Sequence, residues 1–477
     1  MKTLSSFFQL EKTQSELDFV DIPINADIPL FIDPFAISQR PDRWSRQCHL
    51  TLIAFFQGIV DAIKSGHGDQ ALRMLQFLGE PNETRLGYSE GRPQGAGIGP
   101  GQADELYQAL SGSTAVKTGF IQALEECELM IDGISRDKIS DLTTNILREA
   151  LARYTHDQCL LHGIPTQDAA LPPYYSPDTH TWVSGYLPLP VIRGKPALLV
   201  PKAIARYDPA YDHQHYYGRF VLSYLQAEEL RATSSLVRTL KNGKRVVYKK
   251  DLKELYPLSK EFLFEFSRDH PKVLQAYRDD LGDLERAGVN DRKTDDDEPA
   301  IAGLLAEALQ AISPGSDDAS TYHSLMIGIV EFVFFPSLLY PKKEAEIHQG
   351  RKRIDIVMEN GARSGIFARL HEVRKLPSAF VAFECKNYTT EVSNPEMDQL
   401  AGRFSPNRGK VGFLCCRTFQ DRATFIERCR DTLRDDRGLI LPVDDSAILA
   451  FLDEIKHGHR PALDAHLSRL VDEVWLS

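Results

Sequence analysis

The chain is 477 residues long, 42% apolar and 26% charged, and carries a formal net charge of −11. That composition supports ordinary folded cores and excludes a disordered or fibrous chain, while the length suggests about two to four domains. It also excludes a global basic field. From Thr321 onward 22 basic residues balance 22 acidic ones, which leaves 34 and 45 before it, so any nucleic-acid binding has to use local patches.

Seven cysteines, an odd number with no CxxC pair, predict a reduced cytoplasmic protein without structural zinc. The opening MKTLSSFFQLEK has too short an apolar run for a signal peptide. The most apolar segment, 325–340, is interrupted by Glu331 and Pro336, which predicts a core helix and no membrane span.

In chain order, residues 18–37 read as extended, with Asp33-Pro34 closing a turn. Residues 47–64 have helical apolar spacing, continued at 70–78. The Gly-rich stretch 85–101 precedes a helix at 102–110. No strand precedes it and no Lys-Ser/Thr follows, so it fails the P-loop and dinucleotide patterns and reads as a surface connection, with Arg85 and Arg92 as weak anion candidates. Residues 114–159 read as two or three helices. Asp137 and Asp141 suit caps and first-turn acids that complement the helix dipole better than site carboxylates. His156 and Cys159 lack a second ligand pair, and the HQHYY run at 213–217 suits packing as well as metal binding.

Residues 182–206 predict a hairpin around Arg193-Gly194-Lys195, and 231–253 a second one turning at Asn242-Gly243. From Arg238 to Lys253 seven basic residues face one acid. Lys241, Lys244, Arg245, Lys249 and Lys250 are candidate phosphate contacts, against the alternative of a lysine-guarded edge strand. A helix covers 260–284, a charged linker 290–299 and a short helix 300–312. The Ser-Pro-Gly-rich stretch 313–320 divides a module at 1–312, with an internal break near 165–180, from a domain at 321–477.

The second domain alternates helix and strand. A helix at 322–335 carries Glu331, and strands follow near 345–348, 353–359 and 379–386. A helix at 395–404 carries Gln399, followed by strand 409–415, helix 422–434, strand 438–443 and helix 447–455. The chain thus reads as α+β: a mainly helical N-terminal region with β-hairpins, and a C-terminal domain around a mixed sheet.

Two apolar runs carry acid. Asp355 stands between Ile354 and Ile356, and Glu384 ends the run FVAFE, two residues before Lys386. Alternation puts Glu384 and Lys386 on one face of a strand, where charges are costly unless paired or bound to metal. Four [Asp/Glu]-x-Lys triplets occur, but only Glu384-Cys385-Lys386 ends an apolar strand. A buried ion pair serving the fold is the plain alternative.

The order of a helix acid at Glu331, a strand acid at Asp355, Glu384-Cys385-Lys386 and a helix with Gln399 resembles the PD-(D/E)XK, or restriction-endonuclease-like, nucleases. The strand GKVGFLCC and the terminal GLILPVDD resemble the Mrr and RecB-like branches, and the resemblance covers about residues 322–455. It implies a nuclease using Mg²⁺ or Mn²⁺. Asp355, Glu384 and the backbone carbonyl of Cys385 are its expected metal ligands, Lys386 the catalytic lysine, and Glu331 and Gln399 accessory residues. Ile354 replaces the proline before the acid, and the 29-position gap to Glu384 holds a basic segment, 363–375, expected to form a lid or to contact DNA. Arg351, Lys352 and Arg353 join the candidate nucleic-acid contacts. DNA is expected over RNA, in a restriction or anti-phage defence effector that is a homo-oligomer with a defence-system partner protein. The alternative is an inactive nucleic-acid-binding or scaffold protein on a nuclease-like fold. Residues 1–312 show no helix-turn-helix or zinc pattern and are expected to sense a ligand, contact DNA or drive oligomerisation.

Overall fold

The computed structural model describes residues 2–87, 100–288, 297–343 and 356–476. It is α+β, with helices dominating the N-terminal part and a five-stranded mixed sheet in the C-terminal part. Buried apolar side chains fall into two large clusters. The first runs from Leu4 to Leu281 and adds Phe335, Leu339 and Tyr340; the second takes Leu161 and then Ile301 to Val474.

The first core is organised on the helix Arg43–Lys64. Asp42 caps it by accepting from Ser45 N, and Cys48, Leu52, Phe55, Ile59 and Ala62 recur along its buried stripe. Phe55 packs edge-on against Tyr175 and Trp182 at ring separations of 4.8 and 5.8 Å. Those two rings come from a long hairpin, Gln167–Ser176 paired with Thr181–Leu189. Its ladder slips between Leu171 and Tyr174, where Pro172 and Pro173 cannot donate. The expected hairpin near Arg193 is present but short, Val191–Ile192 with Lys195–Pro196.

Within the C-terminal part the helices are α1 (Glu298–Ala311), α2 (Ala319–Phe334), α3 (Gly365–Glu372), α4 (Asn394–Ala401), α5 (Arg422–Arg434), α6 (Asp445–Lys456) and α7 (Ala462–Trp475). The strands are β1 (Leu338–Lys342), β2 (Ile356–Asn360), β3 (Phe380–Lys386), β4 (Val411–Cys416) and β5 (Leu439–Asp444). Sheet order is β5-β4-β3-β2-β1. The β1–β2 and β2–β3 pairs are antiparallel, and β3–β4 and β4–β5 are parallel. Helix α1, upstream of the 313–320 stretch, contributes Ile301, Leu305 and Leu309 to this second core. The strand expected at 345–348 lies outside the described residues, while β1 occupies a segment that sequence patterning merged with the preceding helix.

The sheet has two distinct faces. Phe383 and Phe413, partners in the parallel register, stack with centroids 4.8 Å apart, and Phe334 of α2 covers both at 5.5 and 5.3 Å. The opposite face carries Val357, Ala382, Gly412 and Glu384. A Cβ added to Gly412 would lie 2.9 Å from Phe404 and 3.1 Å from Leu400, so glycine there lets α4 and the following turn lie close on the sheet.

Strand β1 joins the cores. Leu338 belongs to the second cluster, Leu339 and Tyr340 to the first. Both can turn the same way because Tyr340 sits at φ +53° and the β1–β2 register shifts at this point. Tyr340 donates its N–H to Asp18 Oδ1 (3.2 Å) and its hydroxyl lies 2.9 Å from Ser45 Oγ.

Candidate functional site

Glu384 and Lys386 stand next to each other on the α4-covered face of β3. Lys386 Nζ lies 2.5 Å from Glu384 Oε1, and the Arg403 guanidinium donates to Oε2. The Glu384 and Arg403 side chains are buried; Lys386 is partly open to solvent. Arg403 Nε and Nη2 are buried and have no hydrogen-bond partner among the described residues. Burying charges is tolerated only with close partners, and one carboxylate here holds two cations. Arg403 was not singled out in the sequence. Its only signal there is an arginine in the turn after the helix that carries Gln399.

Along the same face runs a narrow cleft of about 160 Å³ lined by Arg43, Lys342, Arg403, Arg408, Phe380 and Phe404. Every ionisable residue in its described lining is basic. Arg43 is contributed by the N-terminal core, and Lys342 Nζ lies over the Phe380 ring at 5.4 Å.

Beyond Lys386 the C-terminal edge of the sheet is tied down. Asn387 donates to Ser313 O (3.0 Å) and Gly315 O (2.8 Å). Arg417 donates to Ile312 O (2.7 Å) and pairs with Asp445 (2.9 Å). The stretch read as a linker is therefore held against the sheet edge beside Lys386. Burial pushes the Asp445 carboxyl up to about 6 although Arg417 opposes it.

The remaining sequence candidates fall in different places. Asp355, Arg351, Lys352 and Arg353 lie outside the described residues; Asp355 directly precedes Ile356, whose register partner is Phe383, the residue before Glu384. Gln399 is half-buried on α4. The Cys385 side chain is buried. Glu331 is not brought to Glu384. It lies on α2, the helix that covers the Phe383 face, and is paired with Lys202 Nζ of the N-terminal part at 3.0 Å. Burial raises its carboxyl well above the usual range despite that lysine.

The expected lid is corrected. Residues 365–372 form α3, whose Ile366, Phe367 and Leu370 are buried and whose neighbour is α7. Arg369 pairs with Asp464 (3.0 Å) and Arg374 with Asp472 (2.6 Å), so these charges bind the fold to itself. The basic hairpin is present: Arg238–Thr239 pairs with Arg245–Val246 around Gly243 at φ +78°. Lys241, Lys244, Arg245 and Lys250 are exposed, whereas Lys249 is half-buried and donates to Gly218 O (2.6 Å).

A magnesium-type cation asks for oxygen donors. Glu384 and the Cys385 carbonyl are of the right chemistry, but both Glu384 oxygens already face cations. Among the described residues no group of three histidine, cysteine or acidic side chains converges as a metal site. The donor set fits such a cation only when Asp355 is added. All seven cysteines are buried free thiols. Among the described residues no helix is long and apolar enough to cross a membrane.

Residues 9–212 match the family model described as Domain of unknown function (DUF8370). The match lies in the N-terminal part; it includes Arg43 of the cleft and stops short of Glu384, Lys386 and Arg403. No curated protein and no solved structure matches the chain.

Proposed function

We propose that the C-terminal domain is a metal-dependent nuclease that hydrolyses phosphodiester bonds, those of DNA in the first place. The observation that carries this reading is the Glu384–Lys386 pair, 2.5 Å apart on a covered sheet face. The order of helix, strands, helix and strand around it is the order on which the likeness to PD-(D/E)XK nucleases rests. The all-basic cleft on the same face supports a polyanionic substrate.

Asp355, Glu384 and the Cys385 carbonyl would hold Mg²⁺ or Mn²⁺. Such a cation, when bound, neutralises charge on phosphate oxygens as a Lewis acid. Lys386 Nζ carries a positive charge to where negative charge develops on the phosphate, and orients the attacking water by donating to it. Arg403 holds Glu384 in place, and its two further nitrogens suit oxygen acceptors such as a carboxylate or a phosphate. Gln399 is a positioning residue on α4. The N-terminal part, by architectural analogy with restriction and anti-phage defence effectors, senses or recruits the target. The free thiols fit a reducing, cytoplasmic setting.

One observation favours a second reading, a catalytically inactive nucleic-acid-binding protein: Arg403 and Lys386 together occupy both oxygens of Glu384. Plasmid cleavage in Mg²⁺ or Mn²⁺ separates the two. Lys386→Met and Asp355→Ala should each lower cleavage at least about 100-fold while DNA binding in a gel shift persists. Equal, negligible cleavage by all three proteins, with binding intact, would leave only the second reading.

A further inference from the structure

A second basic cleft lies at the end of the β2–β3 pair away from Glu384. Its volume is about 410 Å³, within the range of small-molecule sites and larger than a lone phosphate needs. Arg40, Arg286 and Arg363 line it, together with Ser337, Gly361 and Ser364. No carboxylate occurs in its described lining. Glu359 pairs with Phe380 at the start of β3, and 361–364 follow directly, so this cleft and Glu384 sit at opposite ends of the strands.

The three arginines reach the cleft from different parts of the fold. Arg40 belongs to the N-terminal core and is anchored by Nε to Ala203 O at 3.0 Å. Arg286 ends the helix Pro271–Arg286, is half exposed, and pairs with Asp283 on its own helix at 2.6 Å. Arg363 follows β2 in the C-terminal core, donates through Nη1 to Glu285 O and shares the Glu285 carboxylate with Arg206; its Nη2 lies 3.6 Å from that carboxylate and that of Arg206 at 2.5 Å. A single buried carboxylate thus serves two guanidiniums just behind the cleft wall. A guanidinium has five N–H donors in a fork, so Arg286, which pairs with Asp283 through Nη2 at an exposed position, can still clasp a phosphate oxygen with another nitrogen, while Arg40 and Arg363 add positive charge to the wall. Two serine hydroxyls add donors of the same kind. Gly361 lets the chain after β2 lie close on the core: a Cβ there would be 2.6 Å from Leu339 and 3.7 Å from Asp42 Oδ2.

We propose that this cleft binds a small phosphate-bearing ligand of mononucleotide size, which bridges Arg40 and Arg286 of the N-terminal part to Arg363 and Ser364 of the C-terminal part. Occupancy ties the segment after β2 to the N-terminal core. The proposal does not depend on the nuclease reading, because its readout is binding.

The test uses the full chain, with calorimetric titration and thermal melting in the presence of inorganic pyrophosphate, ATP or adenosine. Pyrophosphate or ATP should bind and raise the melting temperature, and adenosine should do neither. Binding of ATP but not pyrophosphate assigns a nucleotide; binding of both assigns the phosphates as the recognised group. Arg286→Glu, at a half-exposed position, should melt like wild type without ligand and lose at least tenfold in affinity; Arg363→Gln should lose affinity as well. The proposal is overturned if neither phosphate compound binds at millimolar concentration, if adenosine binds as well as ATP, or if both variants bind like wild type.

Discussion

At the scale of single residues, Glu384 owes its position to two cations of different origin. Lys386 was legible, since an acid and a lysine two apart in an apolar strand must share a face. Arg403 was not, because it is 19 positions away and meets Glu384 only after the chain has passed through α4 and turned back over the sheet. Breaking a buried pair by removing one partner leaves a charge stranded, which is more damaging than the pair's own net worth. Arg403→Met should therefore lower unfolding free energy by about 3–5 kcal/mol in urea titration, and Arg403→Lys should recover part of it. A near-neutral Arg403→Met would mean that the contact is not maintained in solution.

At the scale of elements, the sheet rests on aromatic contacts that alternation predicts. Phe383 and Phe413 occupy matching positions of parallel neighbours, and Phe334 closes over them. Phe413→Ala removes a fully buried ring and should cost about 3–5 kcal/mol, with Phe413→Leu costing less because it leaves a smaller cavity; chemical denaturation of both variants measures it. The helices α2, α4, α5 and α6 and the strands β2 to β5 were legible from period alone. Strand β1 and the long hairpin at 167–189 were not. Both contain prolines, which argue locally against a strand, and both survive because proline is tolerated at sheet edges and bulges. The segment 363–375 illustrates the converse: its basic residues suggested a lid or a DNA contact, but its apolar stripe docks on α7, and acids of α7 pair with Arg369 and Arg374.

At the scale of the whole molecule, buried polar contacts clasp the two cores. Lys202 reaches Glu331, and Asp18, which accepts from Tyr154 within the N-terminal part (2.7 Å), also accepts from the backbone of Tyr340 on β1. Lys202→Met alone should destabilise by about 3 kcal/mol, whereas Lys202→Met combined with Glu331→Leu should lie closer to wild type, as a double-mutant cycle in denaturant would show. Buried carboxylates also set the pH dependence. Burial pushes Glu125 up to about 8, and burial with Asp137, Glu80 and Glu83 nearby does the same to Asp141. Both groups bind protons more tightly folded than unfolded, so their contribution is fully present below the unfolded carboxylate range and is lost as pH rises through about 8. Melting temperature should fall between pH 5 and pH 8, and Glu125→Gln with Asp141→Asn should flatten that slope.

The order of elements in the C-terminal part, its mixed helix-and-strand character and the shared face of Glu384 and Lys386 follow from the sequence itself, because side-chain period and local charge placement are local properties. Tertiary structure alone decided which charges are neighbours. It set Arg403 on Glu384, removed Glu331 from that site and gave it to Lys202, and gathered Arg40, Arg286 and Arg363 around one cleft. Those contacts join positions from about 20 to more than 300 residues apart. Their partners are chosen by how the sheet, its covering helices and the N-terminal core pack, which no local pattern encodes.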